Sequence, residues 1–145
     1  MALDTHRPST TIDGDTTDAC HDLQVALDVD RLADDLREFA EDRNWTQFHN
    51  PKNLAMALAG EVGELVAEFQ WLTPAESETD QLDAGRRRAI EDEIADVMIY
   101  LVRLADRLNV DLAEAVDRKL ESNRRRYTVE KSHGSAAKIE RTRPA

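Results

Sequence analysis

Cysteine is nearly missing from this 145-residue chain: Cys20 is the only one. That excludes an intrachain disulfide and suits a reducing cytosol. Five glycines and four prolines leave long uninterrupted stretches rich in Ala, Leu, Glu, Asp and Arg, a composition that favours helix. Aromatics are scarce, with two Trp, two Tyr and three Phe, so each one merits inspection. No apolar run reaches membrane length and no signal-peptide pattern occurs, so a cytoplasmic protein is expected. Basic residues are outnumbered, 19 against 30, for a net charge of −11. That balance argues against nucleic acid or an anionic membrane as the main partner. A nucleotide stays compatible, because a bound cation bridges acidic residues to phosphates.

The length fits one domain. Residues 1–22 are rich in Thr, Asp and Ser and read as a disordered tail, residues 23–130 as the folded core, and residues 131–145 as a flexible C-terminal tail. Four main helices follow from the apolar periodicity. The first runs from about Asp30 to Arg43, with Leu32, Leu36 and Phe39 on one stripe. A loop from Asn44 to Asn50 carries Trp45, Phe48 and His49. Asn50 and Pro51 then open a second helix that continues to about Leu72. Thr73-Pro74-Ala75-Glu76 reads as a capping box opening one short turn of helix. The third helix spans about Ala84 to Leu108, with Asn109 as its stop. Asp111 and Glu114 start a fourth that reaches about Tyr127. No strand alternation of useful length is present. The expected fold class is all-α, a four-helix bundle.

Two short repeats stand out, Glu61-Val62-Gly63-Glu64 and Glu93-Ile94-Ala95-Asp96. Carboxylates three apart share one helix face. Each pair flanks an apolar stripe: Leu58, Val62, Leu65, Phe69 and Leu72 on the second helix, and Ile90, Ile94, Val97, Leu101, Leu104 and Leu108 on the third. If those stripes pack together, the four acids converge at one border of the core, where unpaired charge is costly. Convergent carboxylates call for a cation. All-oxygen ligands favour Mg²⁺ or Mn²⁺ over zinc. A di-iron bundle would offer E-x-x-H pairs. None is present, since the four histidines (His6, His21, His49 and His133) lie outside the predicted helices. Against this stands the plainer reading of two solvated faces, which suits Asp92, Asp106 and Glu114.

A phosphate ligand also seeks cations. The fourth helix places Lys119, Asn123 and Arg126 on one face with Tyr127, beside apolar Val116 and Leu120. The runs Arg86–Arg88 and Arg124–Arg126 read as solvated, the latter complementing the helix dipole. Trp45, Phe48 and His49 precede the acidic helix, Trp71 follows it and Tyr100 lies beside Glu93 and Asp96. Aromatic faces of this kind can stack on a nucleobase. Gly60 and Gly63 cost about 1 kcal/mol each inside a helix, so close packing or close substrate approach is expected there.

Taken together, these residues resemble a known family. E-x-x-E, 28 intervening residues and E-x-x-D are similar to the all-α nucleoside triphosphate pyrophosphohydrolases of the MazG-like group, and within it to the dCTP pyrophosphatase branch. The resemblance runs through Phe39 to His49, Gly60 to Glu64, Phe69-Gln70-Trp71, Glu93 to Val102 and Asn123 to Tyr127. It implies that Glu61, Glu64, Glu93 and Asp96 bind Mg²⁺. It implies that Trp45, Thr46, Gln47, Phe48, His49, Trp71 and Tyr100 hold the nucleotide, and that Lys119 and Asn123 face it. It also implies assembly as dimers or tetramers. One departure is visible: animal members of the branch place a histidine nine residues before the loop Trp, where this chain has Leu36.

The expected activity is hydrolysis of a (deoxy)nucleoside triphosphate, dCTP or a modified dCTP first, to the monophosphate and pyrophosphate. Glu61 and Glu64 are the candidates for the catalytic base, and Lys119 would offset phosphate charge. The alternatives are a broader or dUTP-directed hydrolase and a non-catalytic nucleotide-binding helical oligomer.

Overall fold

A computed structural model describes residues 27–139. The expected N-terminal tail, 1–22, and Cys20 lie outside the described residues. The chain forms α1 (Val29–Asp42), α2 (Pro51–Phe69), α3 (Ala84–Arg107), α4 (Leu112–Arg126) and a single turn, α5 (Val129–Ser132). No strand occurs among the described residues, so the all-α reading holds. Most of the expected C-terminal tail that is described has no regular structure, but α5 crosses its start.

Side-chain caps open each long helix. The carboxylate or amide oxygens of Asp28, Asn50, Asp83 and Asp111 accept from the backbone N–H of Arg31, Asn53, Arg86 and Glu114 at 2.8–3.0 Å. Each such cap satisfies one of the donors a helix start leaves free. The ends of α1 and α3 use one device. Asn44 and Asn109 take positive φ, 53° and 51°, a conformation asparagine tolerates better than most residues. The next residue then bonds back five positions, Trp45 N–H to the Ala40 carbonyl at 2.8 Å and Val110 N–H to that of Ala105 at 2.9 Å. This turn stops the helix and fixes the direction of the exit.

Helix α2 ends three residues before the expected Leu72. Leu72 N–H turns back to the Phe69 carbonyl at 3.0 Å, and the Arg86 guanidinium donates to the Glu68 carbonyl at 2.6 Å, taking an acceptor the last turn leaves open. Arg86 is therefore a half-buried helix clasp, and Arg87 reaches the Thr79 carbonyl; of the expected solvated run only Arg88 is fully exposed. The box at Thr73 forms its reciprocal bonds with Glu76 at 2.7–3.3 Å, but residues 74–77 make only turns.

Helices α2 and α3 share the main packing face and α1 lies against α3, whereas α4 has no extensive contact with any of them. Among the described residues, then, the four helices do not close into a bundle within one chain. The buried apolar set is small: Ala40, Leu54, Ile90, Val102 and Ala105. Val62, Ile94, Leu101 and Leu108, expected in the core stripe, are exposed, as are Val66, Met98, Val116 and Leu120. The apolar surface of α2 and α3 is wider than one neighbouring helix covers, so a second apolar face is left over.

Candidate active site

The α2–α3 packing brings the acid pairs together. Carboxylate oxygens of Glu61, Glu64 and Glu93 lie within 4.8 Å of one another. Asp96 stands one turn further along α3, near enough for its charge to act on both Glu61 and Glu93. Burial first, then the charges of Glu64 and Asp96, pushes the Glu61 carboxyl above its ordinary value. Glu93 is raised in the same way, by burial and then by Glu64, Asp96, Glu61 and Glu68. One oxygen of Glu93 is buried without a hydrogen-bond donor. A carboxylate oxygen so placed lacks its counter-charge, and hard oxygen ligands in this number suit a divalent cation. The residues present fit such an ion. Gly60 and Gly63 flank the cluster, yet a Cβ at either would meet nothing within 4 Å. Close packing is thus not their role within the chain; the space beside the acids is open.

Next to the acids lies a cavity of about 440 Å³ between α1, the following loop and α3, walled by Leu36, Phe39, Trp45, His49, Ile99 and Tyr100, with Asp96 and Arg103 also lining it. Asp96 belongs to both halves, so a ligand in the cavity would have one end at the acid cluster. The turn that ends α1 sets Trp45. Its ring packs edge-on to Phe39, 5.9 Å between centroids at 73°, and the His49 ring sits 6.3 Å away, tilted by 59°. The Arg43 guanidinium lies over the Phe39 ring at 3.6 Å from its centroid. Asn53 holds the loop by donating to the Phe48 carbonyl at 3.0 Å.

Not every expected ligand residue converges. Trp45, His49, Tyr100 and Asp96 line the cavity. Thr46 instead lines a separate depression with Glu41 and Arg107, and Gln47 folds back to the Asn44 carbonyl at 2.9 Å. Phe48 and Trp71 are exposed, Trp71 by 85%, and neither lines that cavity. Lys119 and Asn123 ride on α4, which has no extensive contact with the acid-bearing helices; Asn123 accepts from Arg126 at 3.3 Å.

The sequence reading overlooked Arg103 and misjudged Asp106. Arg103 is only 4% exposed. Its guanidinium pairs with Asp106, whose other oxygen takes Arg37 of α1 at 2.6 Å. Asp106 is therefore a largely buried counter-ion rather than a solvated acid, because α1 crosses α3 there. A signal was available: 96, 100 and 103 follow the 4-then-3 spacing of one helix face, so Arg103 shares the strip of Asp96 and Tyr100. No helix among the described residues is long and apolar enough to cross a membrane.

The model of the MazG-like family matches residues 57–140, a span that contains all four acids, Lys119 and Asn123. dCTP pyrophosphatase 1 of Rattus norvegicus is 52% identical over 101 residues, covering 70% of this chain and 59% of that protein. Its Homo sapiens counterpart is 48% identical with the same coverage. The chain thus spans about three-fifths of the length of these curated relatives. Among solved structures, a pyrophosphatase from Archaeoglobus fulgidus superposes with a TM-score of 0.63 at 44% identity, over 68% of this chain and 91% of that one.

Proposed function

The chain belongs to the MazG-like family, and from that premise we propose that it is a Mg²⁺-dependent pyrophosphohydrolase converting a deoxynucleoside triphosphate, dCTP or a modified dCTP, to the monophosphate and pyrophosphate. The observation that carries this reading is the junction at Asp96: an acid cluster with a donorless buried Glu93 oxygen opens directly beside an apolar, aromatic-walled cavity. A triphosphate has the matching halves, an anionic chain that needs a cation and a flat base that stacks. Relatives named dCTP pyrophosphatase 1 at about half identity, and a pyrophosphatase of similar fold, support the same substrate class.

Glu61, Glu64, Glu93 and Asp96 would hold the ion. When bound, Mg²⁺ (or Mn²⁺ in its place) supplies charge to offset the phosphate oxygens and makes a coordinated water more acidic. The chain's own residues do the rest. Glu61 and Glu64 are the candidates to take a proton from the attacking water. Trp45 and Tyr100 wall the base.

The exposed ridges Val62–Val66 on α2, Ile94–Met98–Leu101 on α3 and Val116–Leu120 on α4 suit burial against further copies of this chain, and we take the working form to be a homo-oligomer, a dimer or tetramer. Such an assembly offers α4, with Lys119 and Asn123, a place to face the acids. The ridges and the incomplete single-chain bundle support this reading. One further observation favours broad base selection: Leu36 lines the cavity, where an aliphatic wall makes no hydrogen bond to a base edge.

Pyrophosphate release from a panel of ribo- and deoxynucleoside triphosphates with Mg²⁺ tests the proposal. dCTP is the expected first substrate, and Glu64→Gln or Asp96→Asn should abolish release with helical content intact. Full activity in both variants would overturn the metal assignment; no release from any triphosphate would leave only a nucleotide-binding oligomer.

A further inference from the structure

Among the side chains lining the cavity, Arg103 alone is a buried cation whose bonds point to other protein groups. Its NH1 pairs with Asp106, and Asp106 is anchored in turn by Arg37, which also holds Asp34 at 2.8 Å. That leaves the Nε–H of Arg103 aimed at Nδ1 of His49, 3.4 Å away. A guanidinium has only donors. The atom facing it must therefore carry a lone pair, because a proton on Nδ1 would set donor against donor beside a positive charge. Burial, then the charges of Arg103 and Arg107, hold His49 below the ordinary histidine value. A neutral imidazole with a bare Nδ1 keeps its single proton on Nε2.

We propose that Arg103 is a positioning residue that fixes His49 as the Nε2–H tautomer, so that the cavity presents a hydrogen-bond donor beside Trp45 to an acceptor atom of the ligand. Among the described residues Nε2 has no protein partner, which leaves its N–H free for that purpose. The tie also sets the ring plane, since Arg103 is itself clamped from both α3 and α1. Mutation of Arg103 would thereby change how His49 holds the ligand. The tautomer follows from the geometry of this chain alone; only the ligand half rests on the cavity being a nucleotide site.

Long-range proton–nitrogen spectra of the full-length ¹⁵N-labelled protein with Mg²⁺ test the tautomer at neutral pH. The expected wild-type spectrum shows a bare Nδ1 and a protonated Nε2 for His49; a protonated Nδ1 overturns the proposal. In Arg103→Met the two tautomers should mix and KM for dCTP rise about tenfold with kcat nearly unchanged, the size of one lost hydrogen bond. Arg103→Lys, which keeps a charged donor, should restore the single tautomer. Retention of the wild-type spectrum and KM in Arg103→Met sinks the assignment, and if that variant fails to fold the wild-type spectrum still decides. The ligand half is read on the wild-type protein with Mg²⁺. Movement of the Nε2 signal by deoxycytidine places the acceptor on the base, movement by tripolyphosphate places it on the phosphates, and movement by neither removes the donor role. If no triphosphate is hydrolysed, the proposed activity falls while the spectrum still reports on Arg103.

Discussion

Removing the carboxylate of Asp106 exposes the energetic role of the buried arginine. Arg103 is 4% exposed, the Asp106 side chain 16% and Arg37 45%, so Asp106→Ala strands one buried charge and one that water can reach. Stripping one partner from a buried ion pair costs roughly 3–5 kcal/mol. The lower figure applies, because the cavity beside Arg103 admits water and His49 still accepts from it. For a domain of this size about 1 kcal/mol moves Tm by roughly 4 °C, so Asp106→Ala should melt about 12 °C below wild type. Differential scanning calorimetry at fixed protein concentration measures this, the concentration being held so that any association contributes equally to each Tm. The double variant Arg103→Met, Asp106→Leu should recover most of the loss, since an apolar pair removes the stranded charge. A drop of under about 3 °C for Asp106→Ala, or a double variant at least as unstable, would show that the pair is solvated and that the reasoning fails.

Mg²⁺ should raise Tm, with about 1.4 kcal/mol of added stability at ten times its Kd and 2.7 at a hundred, and calorimetry should find no such gain in Glu64→Gln. The gain should shrink as pH falls: Glu61 and Glu93 have raised folded values, so protons compete with the ion. Without metal the sign reverses, because a raised carboxyl favours the fold at low pH and that contribution is lost as pH rises through its folded value; a metal-free Tm that climbs steadily across that range would contradict the shared site. Charging the α2 and α3 ridges, as in Val66→Glu with Met98→Glu, should dissociate the proposed oligomer by light scattering without lowering single-chain helicity, and an unchanged mass would remove the ridges from the interface.

The helices were legible because their signals are local. Asn50-Pro51 and Asp111 mark starts that depend on a side chain three residues from its donor, and Asn109 marks a stop that depends on its own φ. The acid pairs were legible too, since three-residue spacing and an apolar flank suffice to aim them at one border. The end of α2 was not, because a long-range donor from Arg86 competes for the Glu68 carbonyl.

By itself, then, the sequence determined an all-α chain, four main helices and two carboxylate pairs on matching helix flanks, all consequences of the helical period and of neighbours a few residues apart. Only the tertiary structure decided which apolar face is buried, leaving Val62, Ile94 and Leu101 outside, and which acids are solvated. It alone joined Arg37 to Asp106, 69 residues apart, and Arg103 to His49, 54 apart. The reason is physical: burial and charge pairing depend on which helices cross, and periodicity along one helix carries no record of its partner.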